Sequence, residues 1–373
     1  MALNLRVVYD NDNRYHIKAR KVNIMGTQES YEKLAAEQAV KQSRPVAASL
    51  VILLGLAALA LGLVIAISFG AATISFGVVW EAVFRFNPDN PDHQVIRELR
   101  LPRVFAGVMV GASFAVAGAI MQGMTRNPLA DSALLGLNSG AAFALAACMA
   151  FLPGLPYTYM ILFCFAGAAF AVAVVYGVGA FARGGLTPVR LTLAGAALSA
   201  LFSALSEGIA LHYQIGQDLA FWYAGGLGRT KWEHLEIMLP WVAAAMLGAF
   251  ALSRSITLLS LGDEISKGLG QRTQLVKLAG TVIVLILAGA SVSVVGMVGF
   301  VGLIIPHVSR KLVGVDYRWI IPCSAVLGGL LVVYADLAAR MVNPPAETPV
   351  GALIALIGVP FFLYLARNER REL

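Results

Sequence analysis

The chain is short of charge. Asp, Glu, Lys and Arg make up 13% of its 373 residues while 58% are apolar, and a soluble domain carries roughly a quarter charged residues. So few polar residues do not cover a globular surface, which excludes the pair of soluble domains that the length alone would suggest. Cysteine is scarce too. Cys148, Cys164 and Cys323 all lie inside apolar stretches, at spacings that suit neither a metal site nor a disulfide framework, and read as small packing residues. Of the five histidines, His16, His93, His212, His234 and His307, none forms a paired ligand spacing, so the sequence offers no haem or metal site. No GxxxxGK[ST] phosphate loop occurs, and no HExxH, paired-carboxylate or nucleophile-elbow pattern stands in or beside the apolar runs. An enzyme embedded in the membrane is disfavoured on that ground. The first 45 residues lack the apolar core of a signal peptide.

What is present is apolar length. At about 20 residues per bilayer crossing, ten spans can be drawn: 46–69, 101–122, 129–152, 158–182, 188–213, 235–254, 274–297, 299–315, 319–341 and 349–367. The mean hydropathy of +0.76 agrees. The expected fold is an all-α, polytopic membrane helical bundle of about ten transmembrane helices, residues 46–370, preceded by a polar extension, residues 1–45. Within the extension, residues 28–43 are rich in helix formers and read either as a surface helix or as a disordered tail. Gly107, Gly111 and Gly118, Gly140 with Ala141, and Gly328 with Gly329 are the small residues that let helices associate closely in lipid.

The net charge of +7 is not a nucleic-acid footprint, because Lys and Arg gather on the cytoplasmic side of membrane proteins. An inner N-terminus puts Arg126, Arg183, Arg190, Arg254 through Lys277, Arg310, Lys311, Arg318, Arg367, Arg370 and Arg371 on one side. The bias favours both termini in the cytoplasm. Two loops are long. Segment 70–100 holds the amphipathic VVWEAVFRF and the turn-rich NPDNPD, and is expected to lie along the outer membrane surface. Segment 255–273 is helical in pattern and punctuated by Gly262, Gly268 and Gly270, which suits a stiff cytoplasmic docking element. Only two carboxylates, Glu207 and Asp336, sit well inside spans, and intramembrane carboxylates are functional candidates by default. Asp336 has Arg340 four residues on. Glu207 has no cation nearby in sequence and either faces a wet cavity or pairs with another helix. Relays of Asp, Glu or His at mid-membrane, which an ion-coupled secondary transporter needs, are nearly absent.

Several motifs then stand in a familiar order: Arg100-Leu-Pro-Arg103; Met121-Gln122 with Arg126-Asn-Pro-Leu-Ala130; Leu135-Gly136 with Gly140; Leu261-Gly262 with Leu269-Gly270; Gly299-Phe-Val-Gly-Leu-Ile-Ile-Pro-His307; Ala335-Asp336 with Arg340; Glu347-Thr-Pro-Val-Gly351; and Gly358-Val-Pro-Phe361. From about residue 46 to 370 the chain resembles the FecCD family of ABC-importer permeases, which handle ferric siderophores, haem and cobalamin. The resemblance implies a cobalamin-importer-like permease of the bacterial inner membrane. It would form a homodimer with the pathway on the two-fold axis, two cytoplasmic ABC ATPase subunits using ATP and Mg, and a periplasmic binding protein, with no cofactor on this chain and no nucleic acid among its partners. It implies ATPase coupling through Leu261, Gly262, Asp263, Glu264, Ile265, Leu269 and Gly270. It implies binding-protein docking at Arg100, Arg103 and Arg340, expected as an exposed basic rim, with interfacial snorkelling as the other reading and pairing with Asp336 as a third for Arg340. It places Glu207 on a span that lines the pathway. Spans 2–5 and 7–10 suit inverted repeats.

Overall fold

In the computed structural model, residues 4–9, 15–20, 43–70, 73–181, 188–344 and 347–369 are described. The chain divides into two units, Met1–Ser43 and Arg44–Leu373. In the first, β1 (Asn4–Tyr9) and β2 (Tyr15–Arg20) pair antiparallel, with Asn4 opposite Arg20 and Tyr9 opposite Tyr15. The sequence reading assigned no strand here. In sequence the two β-prone runs flank Asp10-Asn-Asp-Asn-Arg14, the composition of a hairpin connection. Of the helix or tail expected over 28–43, residues 28–42 lie outside the described residues, as do Arg183, Arg370 and Arg371.

The second unit is built of helices and their connections, with no strand among its described residues. Helices fall on all ten apolar runs: α1 (Pro45–Ser68), α4 (Leu101–Thr125), α5 (Leu137–Phe151), α6 (Tyr157–Phe181), α7 (Pro188–His212), α9 (Trp232–Ser260), α11 (Thr273–Val295), α12 (Val301–Val313), α13 (Tyr317–Val342) and α14 (Val350–Glu369). Short helices fill the connections: α2 (Phe76–Phe84), α3 (Pro91–Val95, joined to α4 by one π-type turn), α8 (Gly216–Tyr223) and α10 (Asp263–Gly268).

Among the described residues, seven helices are long and apolar enough by length and composition to cross a membrane, beside shorter apolar helices on the remaining runs. At 15 and 13 residues, α5 and α12 reach about 20 Å, short of the roughly 30 Å hydrocarbon core. Irregular backbone, residues 126–136 and 296–300, leads into each. Backbone of that kind is tolerated at membrane depth only where protein buries it, and here glycine makes the burial possible. Gly225 and Gly296 both have positive φ, and a Cβ on either would collide with a carbonyl of the opposing segment. Gly226 N–H then donates to the Val295 carbonyl at 2.9 Å.

Burial identifies the centre. The apolar windows of the α3–α4 segment and of α11 are 78% and 72% buried, against 22% for α7. Helices α4 and α11 pack on one another, and within the two sets α4–α7 and α11–α14 the pairings match: α4 with α13 as α11 with α6, α4 with α12 as α11 with α5, and the triads α5–α6–α7 and α12–α13–α14. This is the pattern of two inverted repeats, each with one short helix after an irregular segment. The α4–α13 crossing is tight because Gly111 meets Gly328, where a Cβ on either would strike the other's backbone.

Candidate functional site

The arginines expected at the outer rim are buried. Arg100, Arg103 and Arg340 are 8%, 8% and 7% exposed, so the exposed basic rim is corrected to an internal cluster. The reason lies in α1, which ends at Ser68 with no basic residue in its last turn and leaves its final carbonyls unpaired. Arg100 Nη1 donates to the carbonyls of Ile67 (2.5 Å) and Ser68 (3.0 Å), while Arg340 donates to those of Ala66 (3.0 Å) and Phe69 (3.2 Å). Cations at a helix C-terminus also complement its dipole. Arg103 turns the other way. Its Nε and Nη2 grip the Asp336 carboxylate at 2.8–3.0 Å, and its Nη1 meets Glu347 Oε1 at 2.5 Å. Asp336 also takes Arg340 Nε at 3.2 Å. The intramembrane carboxylate expected to pair with Arg340 is thus shared with Arg103, and Glu347, half exposed at 53%, closes the cluster.

At the opposite end lies the segment expected to couple to the ATPase. Gly262 turns the chain out of α9 with φ +127, a conformation that only glycine adopts without strain. Helix α10 is then pinned to its neighbours: Ser266 Oγ donates to the carbonyls of Leu258 (2.8 Å) and Gly262 (2.7 Å), Gln271 Nε2 donates to Ser255 O (2.8 Å), and Lys277 Nζ pairs with Asp263 (2.5 Å). Leu261, Ile265 and Leu269, spaced four apart, stand 55%, 54% and 63% exposed. Glu264 and Gly270 are exposed beside them. The result is a short, tethered helix that presents an apolar ridge. The sequence reading named the segment; it did not single out Ser266, Gln271 and Lys277, which fix it.

Sequence reasoning also missed a buried polar link in the half of the bundle nearer α10. Pro306 has no N–H, so the Gly302 carbonyl four residues earlier loses its helical donor. Gln122 Nε2 supplies one at 3.1 Å and reaches Leu303 O at 3.3 Å, while its Oε1 accepts from Arg310 at 2.9 Å. Pro306 in an apolar run was the available signal. Glu207 is exposed on α7, and its neighbour Ser206 is buried and donates to the Phe202 carbonyl at 2.7 Å. Outside the spans, Asp316 caps α13 through the Arg318 N–H at 3.0 Å. Burial would raise its carboxyl, but hydrogen bonds from Arg318 hold it below its usual value. Among the described residues no group of three His, Cys, Asp or Glu side chains converges as a metal site.

Comparison with known proteins agrees with this architecture. The iron(3+)-hydroxamate import system permease protein FhuB of Bacillus subtilis is 54% identical, over 91% of this chain and 88% of that protein. The iron-uptake system permease proteins FeuB and FeuC of the same organism are 41% and 34% identical, each over 84% of this chain and 94% and 97% of their own lengths. A solved structure described as an inward-facing metal-chelate type ABC transporter superposes with a TM-score of 0.75 at 28% identity, covering 85% of this chain and 98% of that one. The profile of the FecCD transport family matches residues 58–368, and the chain belongs to that family.

Proposed function

We propose that this chain is the membrane permease of an ATP-driven importer that moves a ferric chelate from a periplasmic binding protein into the cytoplasm by alternating access, with both termini cytoplasmic in the bacterial inner membrane. The 54% identity to a ferric-hydroxamate permease puts a hydroxamate siderophore first among the chelates, ahead of haem and cobalamin. The observation that carries the ATPase partner is the apolar ridge Leu261–Ile265–Leu269 on a helix anchored at both ends. An exposed apolar ridge of this kind marks a protein interface. Because α10 is bonded to both α9 and α11, a force on it reaches two membrane helices at once. ATP and Mg are used by the partner, and this chain performs no covalent chemistry.

At the outer end, the guanidiniums of Arg103 and Arg340 share the carboxylates of Asp336 and Glu347, while Arg100 bonds to the carbonyls of Ile67 and Ser68. Binding-protein docking at Arg100, Arg103 and Arg340 then works by exchange, with an acidic side chain of the partner replacing the half-exposed Glu347 on Arg103. The pathway forms between two permeases. A second copy of this chain is one partner. A different permease is the other partner, a reading supported by two non-identical relatives that are both named iron-uptake system permease proteins of Bacillus subtilis.

Co-expression with a tagged neighbouring ATPase and affinity isolation tests the assembly. The permease is expected to co-purify, and Ile265→Asp to weaken the complex at least about tenfold, as loss of an apolar anchor does, with the thermal midpoint of the isolated permease unchanged. Co-purification that is indifferent to Ile265→Asp contradicts the ridge as the docking surface. Mass measurement of the intact complex separates two identical permeases from two different ones.

A further inference from the structure

A cavity of about 740 Å³ lies between α10, the adjoining ends of α4, α6, α7 and α11, and the 126–136 segment. All of these belong to one chain, so the cavity exists without a second permease and is separate from a route formed between two. Its volume falls within the range of about 300–1,000 Å³ that small-molecule sites occupy. The lining is graded. Met121, Met124 and Leu135 form an apolar floor, 4%, 6% and 1% exposed. The hydroxyls of Thr125 and Tyr176 are already satisfied within the protein, by the Met121 carbonyl and by Thr281. The charged lining comes from the more exposed end: Lys267 and Asp263 on α10 and Lys277 on α11. Lys277 pairs with Asp263, whereas Lys267 makes no ion pair among the described residues. Arg126 adds a further cation beside the start of α10, where a Cβ on Gly262 would stand 3.5 Å from its Nη1. The remaining acid of α10, Glu264, does not line the cavity.

The apolar part runs deep. Tyr176 stands five residues before the end of α6, and Leu278 five residues after the start of α11, each about 7–8 Å along its helix. One flank carries Leu193, Leu275 and Leu278, 65%, 55% and 56% exposed, and on membrane helices such apolar surface belongs among lipid tails. An apolar recess with lysines at its rim fits an amphiphile with an anionic head, as basic pockets between transmembrane helices do on the cytoplasmic side. A free anion would leave the apolar floor unfilled. A neutral lipid would leave Lys267 without a counter-ion. The face of α10 matters as well. Asp263 and Lys267 are each two residues from Ile265, about half a turn away, so the cavity and the exposed Leu261–Ile265–Leu269 ridge lie on opposite sides of the helix. An occupant therefore sits between α10 and the bundle and does not compete with whatever covers the ridge.

We propose that this cavity is a binding site for an anionic phospholipid, its phosphate on Lys267 and Lys277 and an acyl chain against Met121, Met124 and Leu135. The phosphate shares Lys277 with Asp263 and so bears on the ion pair that ties α10 to α11. The lipid site stands on the cavity; its consequence, that bound lipid tunes the transmission of force from the ATPase, rests on the reading of α10 as the coupling element.

The test titrates the delipidated full-length permease in detergent with phosphatidylglycerol, and with phosphatidylcholine of the same acyl chains, and reads bound lipid by native mass spectrometry. Phosphatidylglycerol is expected to bind about tenfold more tightly, and Lys267→Gln to cut its affinity about fivefold, the effect of one lysine near an anionic headgroup, while phosphatidylcholine is unaffected. Leu278→Trp, which narrows the apolar recess, is expected to weaken both lipids. Equal affinity for the two lipids, or a preference unmoved by Lys267→Gln, overturns the site. So does lipid retention indifferent to Leu278→Trp. Displacement of phosphatidylglycerol by excess inorganic phosphate identifies a free-phosphate site and overturns the lipid as occupant. In liposomes with the ATPase and binding protein, phosphatidylglycerol is expected to raise chelate uptake per ATP in wild type and not in Lys267→Gln; equal coupling in the two overturns the tuning role. Absence of any ATP-driven uptake overturns the importer reading and the tuning role together, and leaves the binding measurement to decide the lipid site.

Discussion

Asp336→Asn tests the buried arginine cluster most sharply. The Asp336 side chain is 3% exposed and receives Arg103 at 2.8 Å and Arg340 at 3.2 Å. Asparagine keeps the shape and removes the charge, so two guanidiniums lose their shared counter-ion in a site shielded from water. Arg340 keeps only carbonyl partners, and Arg103 keeps Glu347. Removing one member of a buried ion pair costs about 3–5 kcal/mol. At roughly 2 °C per kcal/mol for a chain of this size, the thermal midpoint falls by roughly 6–10 °C, as read by tryptophan fluorescence of the purified protein in lipid nanodiscs. Glu347→Gln is the internal control. Its side chain is 53% exposed, and an exposed pair contributes about 0–1 kcal/mol, so the midpoint shifts by about 2 °C at most. Adding Arg103→Met to Asp336→Asn is expected to recover part of the loss, because a buried charge without a partner is worse than none. If Asp336→Asn proves no more damaging than Glu347→Gln, the cluster is a solvated rim and the burial argument is wrong.

Three further outcomes follow from the geometry. Gln122→Leu strands the Gly302 carbonyl beneath Pro306 and removes an acceptor from Arg310; at about 1–3 kcal/mol for each buried polar group left unmet, the midpoint drops by several degrees, and an unchanged midpoint refutes the proline account. Gly111→Val forces a side chain into the Gly328 backbone and is expected to abolish a monodisperse bundle on size-exclusion chromatography, whereas Gly77→Val, in open space, leaves the elution profile as it was. The third concerns acid. The Asp316 carboxyl is held below its usual value in the folded chain, so its contribution is complete above the unfolded carboxylate value near 4 and is lost as pH falls through the lower folded value. Asp316→Asn should therefore flatten the stability decline below about pH 4 and cost stability at neutral pH; a decline identical to wild type contradicts the assignment.

Hydropathy located all ten helical runs because lipid imposes one composition on every spanning helix. The same uniformity hid the short helices. Residues 296–300, Gly-Met-Val-Gly-Phe, are as apolar as the helices they join, so a hydropathy reading runs through the break before α12. The glycines were legible as close-packing positions, but their partners, Gly328 for Gly111 and Gly302 for Gly118, required the fold. The arginines show the same division. Their charge and position were visible, yet their burial depends on two facts separated by more than two hundred residues: α1 ends without a basic residue, and Asp336 arrives from α13. A sequence records which groups need partners; it does not record which distant helix end needs them in return. The short helix within residues 255–273 was legible as a helix because its turn is local, set by Gly262, whereas the bonds of Ser266 and Gln271 that fix it needed the fold.

The central claim is that this bundle moves a ferric chelate by ATP hydrolysed on another chain. Its most direct test is uptake of radiolabelled ferric hydroxamate into liposomes that hold the permease, its neighbouring ATPase and the binding protein. The account predicts uptake that requires ATP and all three components and is indifferent to collapse of proton and sodium gradients. Uptake driven by an ion gradient with no ATPase present would contradict it, and would make Glu207 and Asp336 the coupling sites of a secondary transporter.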